Sequence, residues 1–124
     1  MNRIAVVEDS ATNRMLVRLL LQEHYEVVEY ENGQAALNGF KTNKPDLVLL
    51  DLTLPDMDGS DVLEQIRADD ELRDLPVVAF TASTTEDPAS CLAAGFDDYV
   101  SKPIRDHEAF SALIRRALKR SKSE

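Results

Sequence analysis

Unbroken apolar runs alternate with amphipathic stretches along the chain. Ile4-Ala5-Val6-Val7, Leu47-Val48-Leu49-Leu50 and Val77-Val78-Ala79-Phe80-Thr81 have the pattern of strands buried on both faces, as in a parallel sheet. Tyr25-Glu26-Val27-Val28-Glu29-Tyr30 and Tyr99-Val100-Ser101 read as two further strands. Between them the period lengthens to that of helices. From Ala11 to about His24, Met15, Leu16, Leu19 and Leu20 form an apolar stripe with Arg14 and Arg18 opposite, behind a cap at Asp9 or Ser10. After Asn32-Gly33, residues Gln34 to Lys41 turn Ala36, Leu37 and Phe40 inward. A loop, Pro55-Asp56-Met57-Asp58-Gly59, precedes a helix capped by Asp58 or Ser60 with Val62, Leu63 and Ile66 inward, and Pro76 ends the acidic segment Asp69-Asp70-Glu71. Pro88 suits the first turn of a fourth helix carrying Cys91, Leu92 and Ala93 and stopping at Gly95. A fifth runs from about Asp106 to Lys119 with Phe110, Leu113, Ile114, Ala117 and Leu118 on one face. The basic residues at its end complement the helix dipole.

Five strands alternating with five helices predict an α/β fold with a parallel sheet and, through right-handed crossovers, helices on both faces. At 124 residues the chain is expected to form one domain, 1–120, with a short C-terminal tail, 121–124. No stretch is apolar enough to span a bilayer, and the first strand runs directly into acids, so the expected location is the cytoplasm. The single cysteine, Cys91, leaves no partner for an internal disulfide. A net charge of −9 argues against nucleic acid as a direct ligand of this domain. It leaves a divalent cation open if the acids converge.

They are placed to converge. Glu8 and Asp9 follow the first strand, Asp51 ends the third, Thr81 ends the fourth and Lys102 follows the fifth. In a parallel sheet these carboxyl ends share one edge, where open α/β sheets bind ligands. Singly, each is an ordinary polar strand end; together they are not surface polarity. Three adjacent carboxylates repel unless a cation sits among them, and Mg²⁺ suits an all-oxygen set shared with a phosphate. Lys102 supplies a point charge and Thr81 a hydroxyl for phosphoryl oxygens, which makes Asp51 a nucleophile that forms an acyl phosphate. Asp56 and Asp58 read as turn and cap residues, His24 and His107 as solvent-facing, Asp97-Asp98 as the start of a strand, and Cys91 as filling a helix–sheet gap. A phosphatase of the haloacid dehalogenase type is a rival, but it wants a general acid two residues after its nucleophile, where this chain has Thr53. A flavin mononucleotide carrier would need a Gly/Thr-rich loop where Glu8-Asp9 stands. A module that only binds a partner would not need the acid, hydroxyl and lysine set.

Val6-Val7-Glu8-Asp9, Leu49-Leu50-Asp51-Leu52, Leu54-Pro55-Asp56-Met57-Asp58-Gly59, Thr81-Ala82, Ala94-Gly95 and Tyr99-Val100-Ser101-Lys102-Pro103 together resemble the receiver domains of two-component response regulators, along essentially the whole chain. The resemblance implies a doubly wound, flavodoxin-like (βα)5 fold with sheet order 2-1-3-4-5. It implies that Asp51 takes a phosphoryl group from a histidine kinase or histidine phosphotransfer domain, as a self-phosphorylating and self-dephosphorylating acceptor rather than a turnover enzyme. Asp9, Asp51 and the main-chain carbonyl of Thr53 would bind Mg²⁺, with Mn²⁺ the alternative, and Glu8 would act directly or through water. Thr81 and Lys102 would contact the phosphoryl group, Tyr99 would swing inward when Thr81 moves, and Lys102-Pro103 would be a cis bond. A downstream protein would read the face made by the fourth helix, fifth strand and fifth helix. Thr53 and Ser83 stand where the family tunes the loss of the acyl phosphate. The stretch from Thr81 to Gly95 is about one residue shorter than is common, so the fourth helix is expected to be short or displaced. The chain is then a single-domain regulator or the receiver of a longer protein such as a hybrid kinase.

Overall fold

The computed structural model describes residues 2–81, 93–102 and 104–122, without the side chains of 120–122. In chain order these form β1 (Asn2–Val7), α1 (Ala11–Leu21), β2 (Tyr25–Tyr30), α2 (Gly33–Thr42), β3 (Leu47–Asp51), α3 (Gly59–Ala68), β4 (Val77–Thr81), β5 (Asp98–Ser101) and the C-terminal helix α4 (His107–Lys122). All strand pairs are parallel, in the order β2-β1-β3-β4-β5.

The unbroken apolar runs have the cause expected of them. Along β1, β3 and β4 alternate residues face opposite sides, and both sides are covered. Ala5, Val7, Val48, Leu50, Val77 and Ala79 pack with Phe40 of α2 and Val62 and Ile66 of α3. Ile4, Val6, Leu47, Leu49, Val78 and Phe80 pack with Val17 and Leu21 of α1 and Phe110 and Ile114 of α4. Each of the larger of these side chains, the valines, leucines, isoleucines and phenylalanines, contributes roughly 1.5–3 kcal/mol of transfer free energy. The sheet is therefore the rigid part of the molecule, and its register fixes which residues emerge together at the carboxyl edge.

Helix α1 differs from the expected stripe. Met15 and Leu19 are 46% and 57% exposed, and the buried positions are Val17 and Leu21, flanked by the partly buried Leu16 and Leu20. Apolar residues at 15, 16, 17, 19, 20 and 21 wrap most of the helix, so periodicity alone leaves its rotation open. The observed rotation buries Val17 and Leu21 and takes Arg14 off the solvent face, its guanidinium donating to the Glu8 carbonyl at 2.6 Å. The helix also ends earlier than His24, with Gln22 as its C-cap. Ser10 caps α1 and Asn32 caps α2 by accepting from the amides of Asn13 and Ala35; Asp58 is the N-cap of α3. The α4 backbone continues to Lys122. The expectations placed on Ser83, Pro88, Cys91 and Leu92, and with them the body of the fourth predicted helix, lie outside the described residues. Gly95, where that helix was expected to stop, has φ +111°, a conformation open to glycine at little cost.

Charged side chains bonded to backbone hold the loops. Arg67, near the end of α3, donates to the carbonyls of Arg73, Leu75 and Gly95 and to the Asp97 carboxylate. That carboxylate also accepts from the Val77 amide, so one pair joins the starts of β4 and β5. Asp56 accepts from the amides of Gly33 and Gln34 at 2.9 Å each, tying the loop after β3 to the start of α2. The Gln34 amide first, then that of Gly33, hold the Asp56 carboxyl below its usual range. Gly59 closes the same loop by donating to Leu52 O at 2.9 Å. A β-carbon at position 59 would lie 2.6 Å from the Asp51 carbonyl oxygen and 2.8 Å from the Leu52 Cα, backbone atoms that have no rotamer to escape into.

Gly59→Ala should therefore cost about 1–3 kcal/mol in urea denaturation through overpacking. An unchanged midpoint and slope would show that the β3–α3 loop yields freely.

Candidate functional site

Each polar group at the carboxyl edge is delivered by a strand. Glu8 follows β1 and its amide still donates to Tyr30 O at 3.0 Å, so the residue is held by the last sheet bond of that strand. Asp51 is the final residue of β3 and pairs in register with Phe80. Thr81 ends β4 opposite Ser101, and its carbonyl accepts from the Lys102 amide at 2.7 Å.

The structure brings Glu8, Asp9, Asp51 and Lys102 together. Carboxylate oxygens of the three acids lie within 4.8 Å of one another. Lys102 Nζ is 2.6 Å from Glu8 Oε2 and 3.2 Å from Asp51 Oδ2. Backbone donors hold the other oxygens: the Ser10 amide donates to Glu8 Oε1 and the Thr53 amide to Asp51 Oδ1, both at 3.1 Å. Glu8 is 1% and Asp51 5% exposed, Thr81 is buried, and Asp9 is open to solvent.

The electrostatics follow from that burial. Desolvation pushes the Glu8 carboxyl up, and the Asp51 charge adds to it; Lys102 and the Ser10 amide oppose the shift without cancelling it. Burial pulls Lys102 down, but the combined attraction of Glu8 and Asp51 exceeds that and leaves its ammonium above the usual lysine value. Lys102 meets Glu8 Oε2 as a close ion pair, yet among the described residues that oxygen accepts no aligned hydrogen bond. A buried acceptor without an aligned donor, beside two further carboxylates, suits a hard cation with oxygen ligands. The acidic cluster thus has the donors and the spare acceptor to hold a metal ion.

The remaining predicted residues are placed less fully. Thr53 is exposed, two residues beyond Asp51, in a bridge with Asp58, and brings no acidic group there. Tyr99 is half-buried on the α2–α3 side of the sheet, in register with Ala79. Pro103, and with it the expected cis bond, lies outside the described residues. Two contacts had no signal in local sequence. The Phe80 ring lies 4.9 Å from Lys102 Nζ, a cation–π arrangement that restrains the ammonium from its apolar side. Arg14 grips the Glu8 carbonyl from the second turn of α1; a basic residue early in a helix looks solvated until the fold is known.

Lys102→Met should leave Glu8 as an uncompensated buried charge and cost about 3 kcal/mol near neutral pH. A carboxyl whose folded pKa lies above its unfolded value binds more protons folded, so its contribution to stability falls as pH rises from the ordinary carboxylate range through the folded value. Without Lys102 that loss is larger and extends to higher pH. Thermal unfolding of the two proteins should therefore diverge on going from pH 4 to pH 8, and a constant gap would refute the Glu8–Lys102 coupling.

Residues 4–116 match the response regulator receiver domain family. The chain is 38% identical over 103 residues to the polar-differentiation response regulator DivK of Brucella anthropi, covering 82% of this chain and 84% of that one. It is 40% identical over 124 residues to the DNA-binding response regulator MtrA of Mycobacterium tuberculosis, covering 98% of this chain and 53% of that one. The chain spans 13% of the length of the sensor protein GacS of Pseudomonas syringae, which it also matches at 38% identity. Among solved structures, the receiver domain of the sensor histidine kinase PA1611 from Pseudomonas aeruginosa, which has a magnesium ion coordinated in its active site cleft, superposes with a TM-score of 0.85. It has 28% identity and covers 95% of this chain and 98% of that one. With its sheet order, its acidic edge and this match over most of its length, the chain belongs to the response regulator receiver domain family, the phosphoacceptor modules of two-component signalling.

Proposed function

We propose that Asp51 is the phosphoacceptor, and that the domain is switched by Mg²⁺-dependent phosphorylation there. The observation that carries this is the environment of its carboxylate. Asp51 ends the central strand, with one oxygen on the Thr53 amide and the other 3.2 Å from Lys102 Nζ, so it is oriented and flanked by positive charge. An Asp51 oxygen would attack phosphorus as the phosphorus–nitrogen bond to a donor imidazole breaks. The imidazole nitrogen keeps that electron pair, and an acyl phosphate remains. Lys102 and the Thr81 hydroxyl would receive charge on the phosphoryl oxygens. Glu8, Asp9, Asp51 and the Thr53 carbonyl would hold Mg²⁺, or Mn²⁺ in its place, which supplies charge neutralisation among the acids and at the phosphoryl oxygens. Loss of the acyl phosphate to water would return the domain to its starting state, so it acts as an acceptor rather than a turnover catalyst.

The phosphodonor is a histidine kinase or phosphotransfer domain. Thr81 would transmit the change through its carbonyl bond to the Lys102 amide and through the β4–β5 register to Tyr99. The surface of β5 and α4 is the described part of the output face. It carries a cleft of about 160 Å³ lined by Val100, Ile104, Phe110 and Leu113 among others, suited to an apolar side chain of a downstream protein. The net charge of −9 favours protein over nucleic acid as what the domain itself touches. Among the described residues no helix is long and apolar enough to cross a membrane, which accords with action in the cytoplasm.

Incubation with acetyl phosphate and Mg²⁺ should add one phosphoryl group by intact mass, and a chelator or Asp51→Asn should prevent it. Undiminished incorporation in Asp51→Asn would sink the assignment.

A further inference from the structure

We propose that Arg14 is a positioning residue for the cation site, setting its affinity for a divalent cation by fixing the peptide plane between Glu8 and Asp9. This rests on reading the three acids as that site. β1 leaves the sheet at Glu8. The Glu8 amide makes the last bond, to Tyr30 O, while its carbonyl has passed beyond the ladder. Arg14 Nη1 takes that carbonyl at 2.6 Å. The carbonyl belongs to the peptide unit joining Glu8 to Asp9, and a peptide unit is planar, so the guanidinium orients the bond from which the Asp9 side chain departs.

The guanidinium is itself anchored. Arg14 Nε lies 3.4 Å from Glu29 Oε1, and Arg18 Nη1, one turn later, holds Glu29 Oε2 at 2.9 Å. The Arg14 side chain is 15% exposed, well sheltered for an arginine. Glu29 precedes Tyr30 on β2, the residue that holds the Glu8 amide. Both sides of Glu8 are thus referred to the same edge strand, one by a backbone bond and one through Arg14. From the other direction, Ser10 donates to Glu8 Oε1 and caps α1. The planar guanidinium presents Nη1 to the carbonyl and Nε to the carboxylate in one fixed geometry; a lysine keeps the charge, but its rotatable ammonium holds neither acceptor at a set angle.

Positioning and simple electrostatics predict opposite signs. A cation near the acids repels a second cation, so if Arg14 acted only by its charge, removing it would tighten divalent-cation binding. If it positions the loop, removing it weakens binding, and the loss of an outer partner of a ligand typically costs tenfold or more.

Calorimetric titration of Mg²⁺ into the unphosphorylated protein, at constant ionic strength, separates the two. Arg14→Met should weaken Mg²⁺ binding about tenfold, and Arg14→Lys should also weaken it although the charge is kept. In the metal-free protein, Arg14→Met should speed hydrogen exchange at the Ser10 amide while the β3 amides stay protected. Asp9→Asn is the control for the site. If the wild-type protein binds no Mg²⁺, or Asp9→Asn binds it equally well, the reading of the acids fails. If Asp9→Asn loses binding while Arg14→Met binds Mg²⁺ as well as or better than wild type, the site stands and the role of Arg14 is overturned. Should Arg14→Met not fold, Arg14→Lys decides, and wild-type affinity in it overturns the proposal in the same way.

Discussion

Glu8 is a carboxylate with almost no access to water, and such a group persists only where a cation comes to meet it. That cation is Lys102, delivered from the opposite side of the sheet. Between the strands that carry them lie β3, which contributes Asp51, and β4, which contributes Thr81. One ion pair therefore demands that the strands hold their register across most of the sheet, and the register in turn places Asp51 and Thr81 at the ends of the strands between the two charges. Three carboxylates against one ammonium still leave negative charge in excess. A divalent cation is the simplest species to offset it, and among the described residues Glu8 Oε2 meets Lys102 Nζ at 2.6 Å without an aligned hydrogen bond, within a cluster of acids that could hold such an ion.

The parallel sheet and its edge were legible because burial on both faces writes unbroken apolar runs into the sequence. Against such runs a strand-end acid, hydroxyl or lysine stands out. The strand order came from family resemblance, since the apolar pattern is silent on which strand lies next to which. The rotation of α1 was not legible: seven apolar positions in eleven residues admit several faces, and the observed one buries Val17 and Leu21 and brings Arg14 onto the Glu8 carbonyl. Phe80 looked like one more core residue, although its ring also flanks the site lysine. The Asp97-Asp98 pair does start a strand, but the sequence did not show that the Asp97 carboxylate also accepts from Arg67 and from the Val77 amide. These misses share a cause. Each residue acts on a backbone or ring remote in sequence, and neither periodicity nor turn chemistry carries information about that.

A division of labour follows. The sheet is held by apolar burial on both sides, which is lost only by unfolding. The loops at its edges are held by charged side chains on backbone groups: Arg14 on Glu8, Asp56 on Gly33 and Gln34, Arg67 on Leu75 and Gly95. Bonds of this kind are worth about 1.5–3 kcal/mol each and can be exchanged for water or for another partner. A domain built this way can rearrange its edge while its core stays fixed.

Lys102 is the residue on which such a rearrangement would turn. It is shared between Glu8 and Asp51, and its amide is bonded to Thr81. A phosphoryl group on Asp51 would offer Nζ more negative charge at that side, drawing it from Glu8. Glu8 cannot follow, because its amide and one carboxylate oxygen are held by Tyr30 and Ser10 and its carbonyl by Arg14. With its burial unchanged and its ammonium partner displaced, Glu8 would depend more heavily on another cation. The affinity of the acidic edge for a divalent ion and the acceptance of a phosphoryl group by Asp51 would thus be coupled through one ammonium, and each would strengthen the other. The same displacement would pull on the β4–β5 junction through the Lys102 amide, the route by which a charge added at the centre of the sheet would reach Tyr99 and the surface of α4.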